Sequence, residues 1–187
     1  MAVLAAFFIG FFGFGGGKAA AAAADPENTI VMEIGDHDGK PKGKVVIEMR
    51  PDLAPNHVKR IKELVKSGFY NGVPFHRVIE GFMAQTGDPT GTGTGGSGKK
   101  LKAEFSSEPH VRGTVSMARA SDPDSADSQF FICFAPSSFL NGQYTVWGKV
   151  TDGMDVVDTI KKGVAGSGQV TNPDKIISMK MAADVKK

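Results

Sequence analysis

Phe75-His76-Arg77-Val78-Ile79-Glu80-Gly81-Phe82-Met83-Ala84-Gln85-Thr86-Gly87-Asp88 carries two short runs of strand-favouring residues on either side of a Glu-Gly pair. Taken residue by residue it is two strands joined at Glu80-Gly81. Strand alternation puts Met83 and Gln85 on one face. Arg77 close to Phe82 and Met83 fits an apolar groove with a single positive donor. It fits equally a core that absorbs both apolar side chains and leaves the arginine in solvent, and spacing alone does not separate the two.

The flanking sequence continues the pattern of short strands. Residues 29–34 and 44–49 alternate, with turn formers between them, which predicts a β-hairpin with a long loop. Residues 55–67 predict a helix: Pro55 suits the first helical position, Val58, Ile61, Leu64 and Val65 form one apolar stripe, and Gly68 follows as a cap. Further strand-like runs cover residues 74–79, 82–86, 114–118, 129–134, 145–150 and 175–181, with a second helix over 154–162. Strands this short and frequent imply a closed antiparallel barrel or a sandwich. In residues 129–134, alternation sends Phe130, Ile132 and Phe134 to one face and Phe131 to the other.

With 187 residues, 41% apolar, the chain suits one domain. A net charge of +2 gives no electrostatic footprint for nucleic acid. The single cysteine, Cys133, excludes an internal disulfide or a multi-cysteine metal site and is expected as a small buried strand residue. His37, His57, His76 and His110 stand apart without metal-ligand spacing, and no G-x-S-x-G elbow is present. His76 is expected to be structural, packed beside its strand. Gly93-Thr94-Gly95-Gly96-Ser97-Gly98-Lys99-Lys100 approaches a phosphate-binding loop but lacks the final Ser or Thr and the strand-to-helix setting, so a flexible surface loop over residues 87–98 is expected instead.

Residues 3–14 are a run of apolar residues and glycine, too short to span a bilayer, followed by six alanines and the polar Asp25-Pro26-Glu27-Asn28. Residues 1–24 are therefore expected to be a signal peptide, leaving residues 25–187 as the mature domain in the periplasm or outside the cell. No Lys or Arg precedes the apolar run, so the alternative is an uncleaved membrane anchor over residues 2–24.

The opening block resembles the signature of the cyclophilins. Gly113-Thr114-Val115-Ser116-Met117-Ala118-Arg119-Ala120, Ser128-Gln129-Phe130-Phe131-Ile132-Cys133 and Phe139-Leu140-Asn141-Gly142-Gln143-Tyr144-Thr145-Val146-Trp147-Gly148-Lys149-Val150 resemble three more of that family's segments, in order. The likeness spans roughly residues 29–182. It implies a mainly β fold, a closed eight-stranded antiparallel β-barrel capped by two α-helices, with the active groove on the barrel's outer surface. It implies peptidyl-prolyl cis-trans isomerase activity on proline-containing polypeptides, with a role in protein folding, no metal, no cofactor and a monomeric state. Membrane and nucleic acid are not expected partners of the mature domain.

By position, Arg77 matches the family's catalytic arginine. Phe82, Met83, Phe131 and Leu140 match the walls of its proline pocket, Gln85 a contact to the substrate backbone, and Ala118 and Arg119 the channel segment, where the main chain of Arg119 would pair with substrate. Phe139 and Tyr144 complete the matched substrate-binding set. Arg119, Phe139 and Tyr144 stand where well-studied eukaryotic members carry Asn, Trp and His, which resembles the bacterial branch and sets tight cyclosporin binding in question. A cyclophilin fold that binds proline segments without turnover is the competing expectation, and the intact Arg77, Phe82, Met83 and Gln85 set argues against it.

Residues 1–30 fused to a reporter that is active only outside the cytoplasm should confer export in a bacterial host; a reporter retained in the cytoplasm would contradict the leader assignment.

Overall fold

The computed structural model describes residues 24–185. The leader expected over residues 1–24 lies, but for Ala24, outside the described residues. Eight strands and two helices follow in chain order: β1 (Thr29–Gly35), β2 (Pro41–Met49), α1 (Pro55–Lys66), β3 (Arg77–Ile79), β4 (Met83–Thr86), β5 (Thr114–Met117), β6 (Phe130–Cys133), β7 (Val146–Asp152), α2 (Met154–Asp158) and β8 (Lys175–Met181). All strand pairs are antiparallel, and the sheet runs β3-β4-β6-β5-β7-β2-β1-β8. The sheet curls around one core in which Phe130 meets Trp147 and Tyr70 edge-on, at ring separations of 5.4 and 5.5 Å. The stripe expected on α1 faces that core, with Val58, Ile61, Leu64 and Val65 all buried.

The expected closed barrel needs correcting. The ladder is open between its edge strands β3 and β8, giving a half-barrel whose seam is bridged by loop backbone. Pro74 and Lys175 form an isolated bridge, and Phe75 N donates to Asp174 O at 2.8 Å. A regular ladder cannot run through Pro74, which has no N–H to give, and this is also why the strand expected over residues 74–79 begins only at Arg77. The helix expected over residues 154–162 stops at Asp158 for a related reason. Beyond it, Lys161 N donates to Asp174 Oδ2 at 2.8 Å and Gly163 N to Val78 O at 2.9 Å, so amides that would have extended the helix serve the seam instead. Gly168, at φ +75°, lies so close to β3 that a Cβ there would sit 2.5 Å from Ile79 Cγ1. Only glycine lets this loop pack beside Arg77.

The loop over residues 87–98 is pinned rather than flexible. Asp88 accepts from Thr90 N, Thr90 Oγ1, Gly93 N and Gly95 N at 2.8, 2.7, 2.6 and 3.1 Å. Asp127 accepts from Ser97 N and Gly98 N at 2.7 and 3.0 Å. The amides a phosphate would need are thus taken by the chain's own carboxylates, a physical reason for the failed phosphate-loop motif. Burial pushes the Asp88 carboxyl up, but its hydrogen bonds outweigh that and hold it down at about 2. Because the folded value lies below the unfolded one, this stabilisation is complete above about pH 4 and is lost as pH falls toward 2. Asp88→Asn should cost about 2 kcal/mol near neutral pH. It should also flatten the acid limb of a urea-midpoint profile below pH 4; an unchanged limb would contradict the role given to Asp88.

Candidate active site

The groove is built by one row of residues across four strands. Arg77 on β3 is opposite Gln85 on β4, Gln85 is opposite Phe131 on β6, and Phe131 is opposite Ser116 on β5. Directly opposed residues share a face, so this row points out of the barrel. In the adjoining row Ile79, Met83 and Cys133 are paired on the same outer face. The alternation read in residues 129–134 therefore holds: Phe130, Ile132 and Phe134 join the main core, while Phe131 joins a second cluster with Met83, Cys133 and Leu140. Cys133 is fully buried, and burial pushes its thiol up to about 12, which leaves it an inert packing residue.

Above the second cluster lies a groove of about 810 Å³. All the site residues read from the sequence line it: Arg77, Phe82, Met83, Gln85, Ala118, Arg119, Phe131, Phe139, Leu140 and Tyr144. Phe131 and Leu140 form its floor and are 5% and 6% exposed, whereas Phe139 stands at the rim, 65% exposed. Phe82 packs against Phe139 at 5.3 Å between ring centroids, and Tyr144 meets Phe131 edge-on at 5.9 Å. Of the two alternatives left open for the opening block, the groove is the one realised: Met83 is buried, Phe82 is half-buried, and both face the groove rather than the main core.

Arg77 is held in place from two sides. Its Nε donates to Ser167 O and its Nη1 to Gln85 Oε1, each at 3.2 Å, while Nη2 donates to none of the described residues. Gln85 Nε2 donates onward to Gln129 Oε1 at 2.9 Å, and Gln129 Nε2 reaches Gly93 O and Gly95 O at 3.0 and 2.9 Å. The arginine is therefore anchored through two glutamines to the loop that Asp88 pins. Among the described residues no carboxylate pairs with it. Arg119 turns its side chain away: the guanidinium lies 4.7 Å from the Tyr144 ring centre and donates to Gln143 O at 3.0 and 2.9 Å. Its backbone N–H and C=O, by contrast, enter no hydrogen bond among the described residues and remain available at the groove wall.

Several residues at the site escaped the sequence-based assignment, among them Ser167 and Gln129, which help to hold Arg77 and Gln85, and His76, His110 and Ser116. His76, read as structural, is buried yet lines the groove, and neither ring nitrogen has a partner. Burial lowers its pKa, against a pull upward from Asp88, so the ring is neutral near pH 7. Its position next to Arg77 was the signal available. His110 and Ser116 lie beneath the floor: the His110 ring stacks on Phe131 at 6.1 Å, with its nitrogens 3.1 Å from Asn141 Oδ1 and 2.9 Å from Ser116 Oγ. No local pattern announces that contact, because it depends on a loop folding under β6. Among the described residues, no group of three His, Cys, Asp or Glu side chains is placed to hold a metal ion.

The site is thus a groove with an apolar floor, a cationic fork at one end and free backbone polar groups on one wall. A family model for cyclophilin type peptidyl-prolyl cis-trans isomerases matches residues 29–181. A probable peptidyl-prolyl cis-trans isomerase of Brucella suis is 58% identical over 179 residues, covering 89% of this chain and 88% of that protein. Peptidyl-prolyl cis-trans isomerase B of Bacillus subtilis is 45% identical over 122 residues, covering 64% of this chain and 85% of its own length. Among solved structures, a cyclophilin of Hirschia baltica matches with a TM-score of 0.74 at 30% identity, covering 87% of this chain and 77% of that one. A Cryptosporidium parvum cyclophilin type isomerase, crystallised in the presence of the dipeptide Ala-Pro, matches with a TM-score of 0.72 at 30% identity, over 82% of this chain and 98% of that one. Sequence, fold and outer-face groove agree: the chain belongs to the cyclophilin-type peptidyl-prolyl cis-trans isomerases.

Proposed function

We propose that Arg77 is the catalytic residue of this isomerase and that its substrates are proline-containing segments of exported polypeptides, whose folding it assists in the cell envelope. The observation that carries the site assignment is the Arg77 fork, fixed by Gln85 and Ser167 with one nitrogen uncommitted, at the edge of the pocket made by Phe82, Met83, Phe131 and Leu140. The apolar run of residues 3–14 supports the location, and the Ala-Pro dipeptide used with the Cryptosporidium protein supports the substrate class. No step in the mechanism calls for more than one copy of the chain.

The physics of the reaction selects such a site. Resonance across the peptide bond sets a rotational barrier of about 18–20 kcal/mol. Twisting the bond breaks that resonance, and the proline nitrogen becomes pyramidal and gains a lone pair. A donor aimed at this nitrogen binds the twisted state better than either planar one, which is the condition for catalysis. A guanidinium is a rigid, permanently charged fork and costs no reorganisation when it is already held in position. The apolar pocket grips the ring, and the main chain at Arg119 together with Gln85 fixes the flanking chain. One side of the bond then turns against a held partner.

Arg77→Ala should fold as the parent does and lower kcat/KM toward an Xaa-Pro peptide by about a hundredfold or more. Phe131→Ala should raise KM more than it lowers kcat. Both are read by the rate of cis-to-trans exchange beside a thermal melt. Parental turnover in the Arg77→Ala protein would refute the catalytic assignment.

A further inference from the structure

Four lysines without ion pairs surround one cavity to the side of the groove. A cavity of about 400 Å³ lies between the first turns of α1 and the segment after the pinned loop, with Lys59, Lys99, Lys100 and Lys102 on its walls. All four lysines are exposed, and none enters an ion pair among the described residues. The carboxylates nearby are already occupied. Glu104 caps α1, accepting from Asn56 N and His57 N at 3.1 and 3.0 Å and lying 2.6 Å from His57 Nδ1. Glu63 takes Arg60 Nη1 at 3.1 Å, Asp124 accepts from Ala103 N at 2.9 Å, and Asp127 holds the turn at Ser97 and Gly98.

This cationic cavity neighbours the groove by way of Lys100. Lys100 also lines an intermediate cavity of about 420 Å³, which shares Gln85, Gly93, Ala118 and Arg119 with the groove itself. A polypeptide whose Xaa-Pro bond lies over Phe131 can therefore run past Arg119 and Lys100 onto the lysines beside α1. We propose that this path is a second recognition element, which selects substrates carrying a run of Asp or Glu a few residues away from the isomerised proline. The inference rests on the groove being the isomerase site. A path that leads out of a peptide groove favours an acidic polypeptide over a nucleic acid or a lipid surface. Exposed ion pairs are individually weak and screened by salt, so the path acts on capture rather than on bond rotation.

The test uses peptides with one Ala-Pro bond joined by a glycine-serine spacer to a run of Asp, with the run placed on either side of the proline, beside matched Asn and Lys versions. At low ionic strength, KM for one of the two Asp peptides should be about three- to tenfold below that of its Asn version, with kcat unchanged. The difference should vanish in high salt and in the Lys59→Gln, Lys99→Gln, Lys100→Gln, Lys102→Gln quadruple variant, which should turn over the Asn peptide as the parent does. Equal KM for Asp, Asn and Lys peptides would overturn this inference and leave the isomerase assignment standing. An acidic preference that survives in the quadruple variant would overturn it too, by assigning the preference to Arg77 and Arg119. Failure to isomerise any of the peptides would instead refute the groove as the active site.

Discussion

The structure depends on one constraint: a four-residue strand, β6, must serve two apolar surfaces at once. Its period of two sends Phe130 and Ile132 inward, against Trp147 and the main core, and Phe131 and Cys133 outward, under the groove. All four side chains are buried, so a shift of register by one residue would exchange the two sets and put the wrong shapes on both surfaces. The groove is in this sense a by-product of the core. Its floor cannot move without disturbing the packing behind it, and that is the rigidity a preorganised site requires. His110, stacked on Phe131 and held between Asn141 and Ser116, adds a second support from the side.

The polar half of the site is fixed by a different device. A chain of contacts runs from Arg77 through Gln85 and Gln129 to the backbone of the glycine-rich loop, and that loop is organised in turn by Asp88 and Asp127. Two buried or half-buried carboxylates thus do for this loop what a phosphate does in a nucleotide-binding protein: they collect the amides that face inward. The loop is available to position the arginine because it is not available to a nucleotide.

Much of this was legible in the sequence, and the boundary is physical. Alternation in residues 129–134 and the apolar stripe on α1 encode burial locally, so both could be read directly. The outer-face location of the groove, and with it the choice between a solvated arginine and a groove arginine, came only with the resemblance carried by four ordered motifs. Contacts between distant segments were not legible. The open seam between β3 and β8 follows from Pro74 meeting Lys175, the shortened α2 from Asp174 capturing the Lys161 amide, and the pinned loop from Asp127 reaching Ser97 and Gly98. Each pairs residues that no local periodicity connects. His76 was expected to be structural, packed beside its strand; it is buried, and it lines the groove as well.

The central claim is geometric: a proline ring rests on Phe131 while the uncommitted nitrogen of Arg77 faces the prolyl nitrogen. A crystal structure of the protein with a bound Ala-Pro peptide tests it most directly. The account predicts the ring between Phe82, Met83, Phe131 and Leu140, with Arg77 Nη2 at about 3 Å from the prolyl nitrogen. A ring lodged in the intermediate cavity beside Lys100, or an Arg77 still turned toward Gln85 with no group of the peptide within its reach, would contradict it.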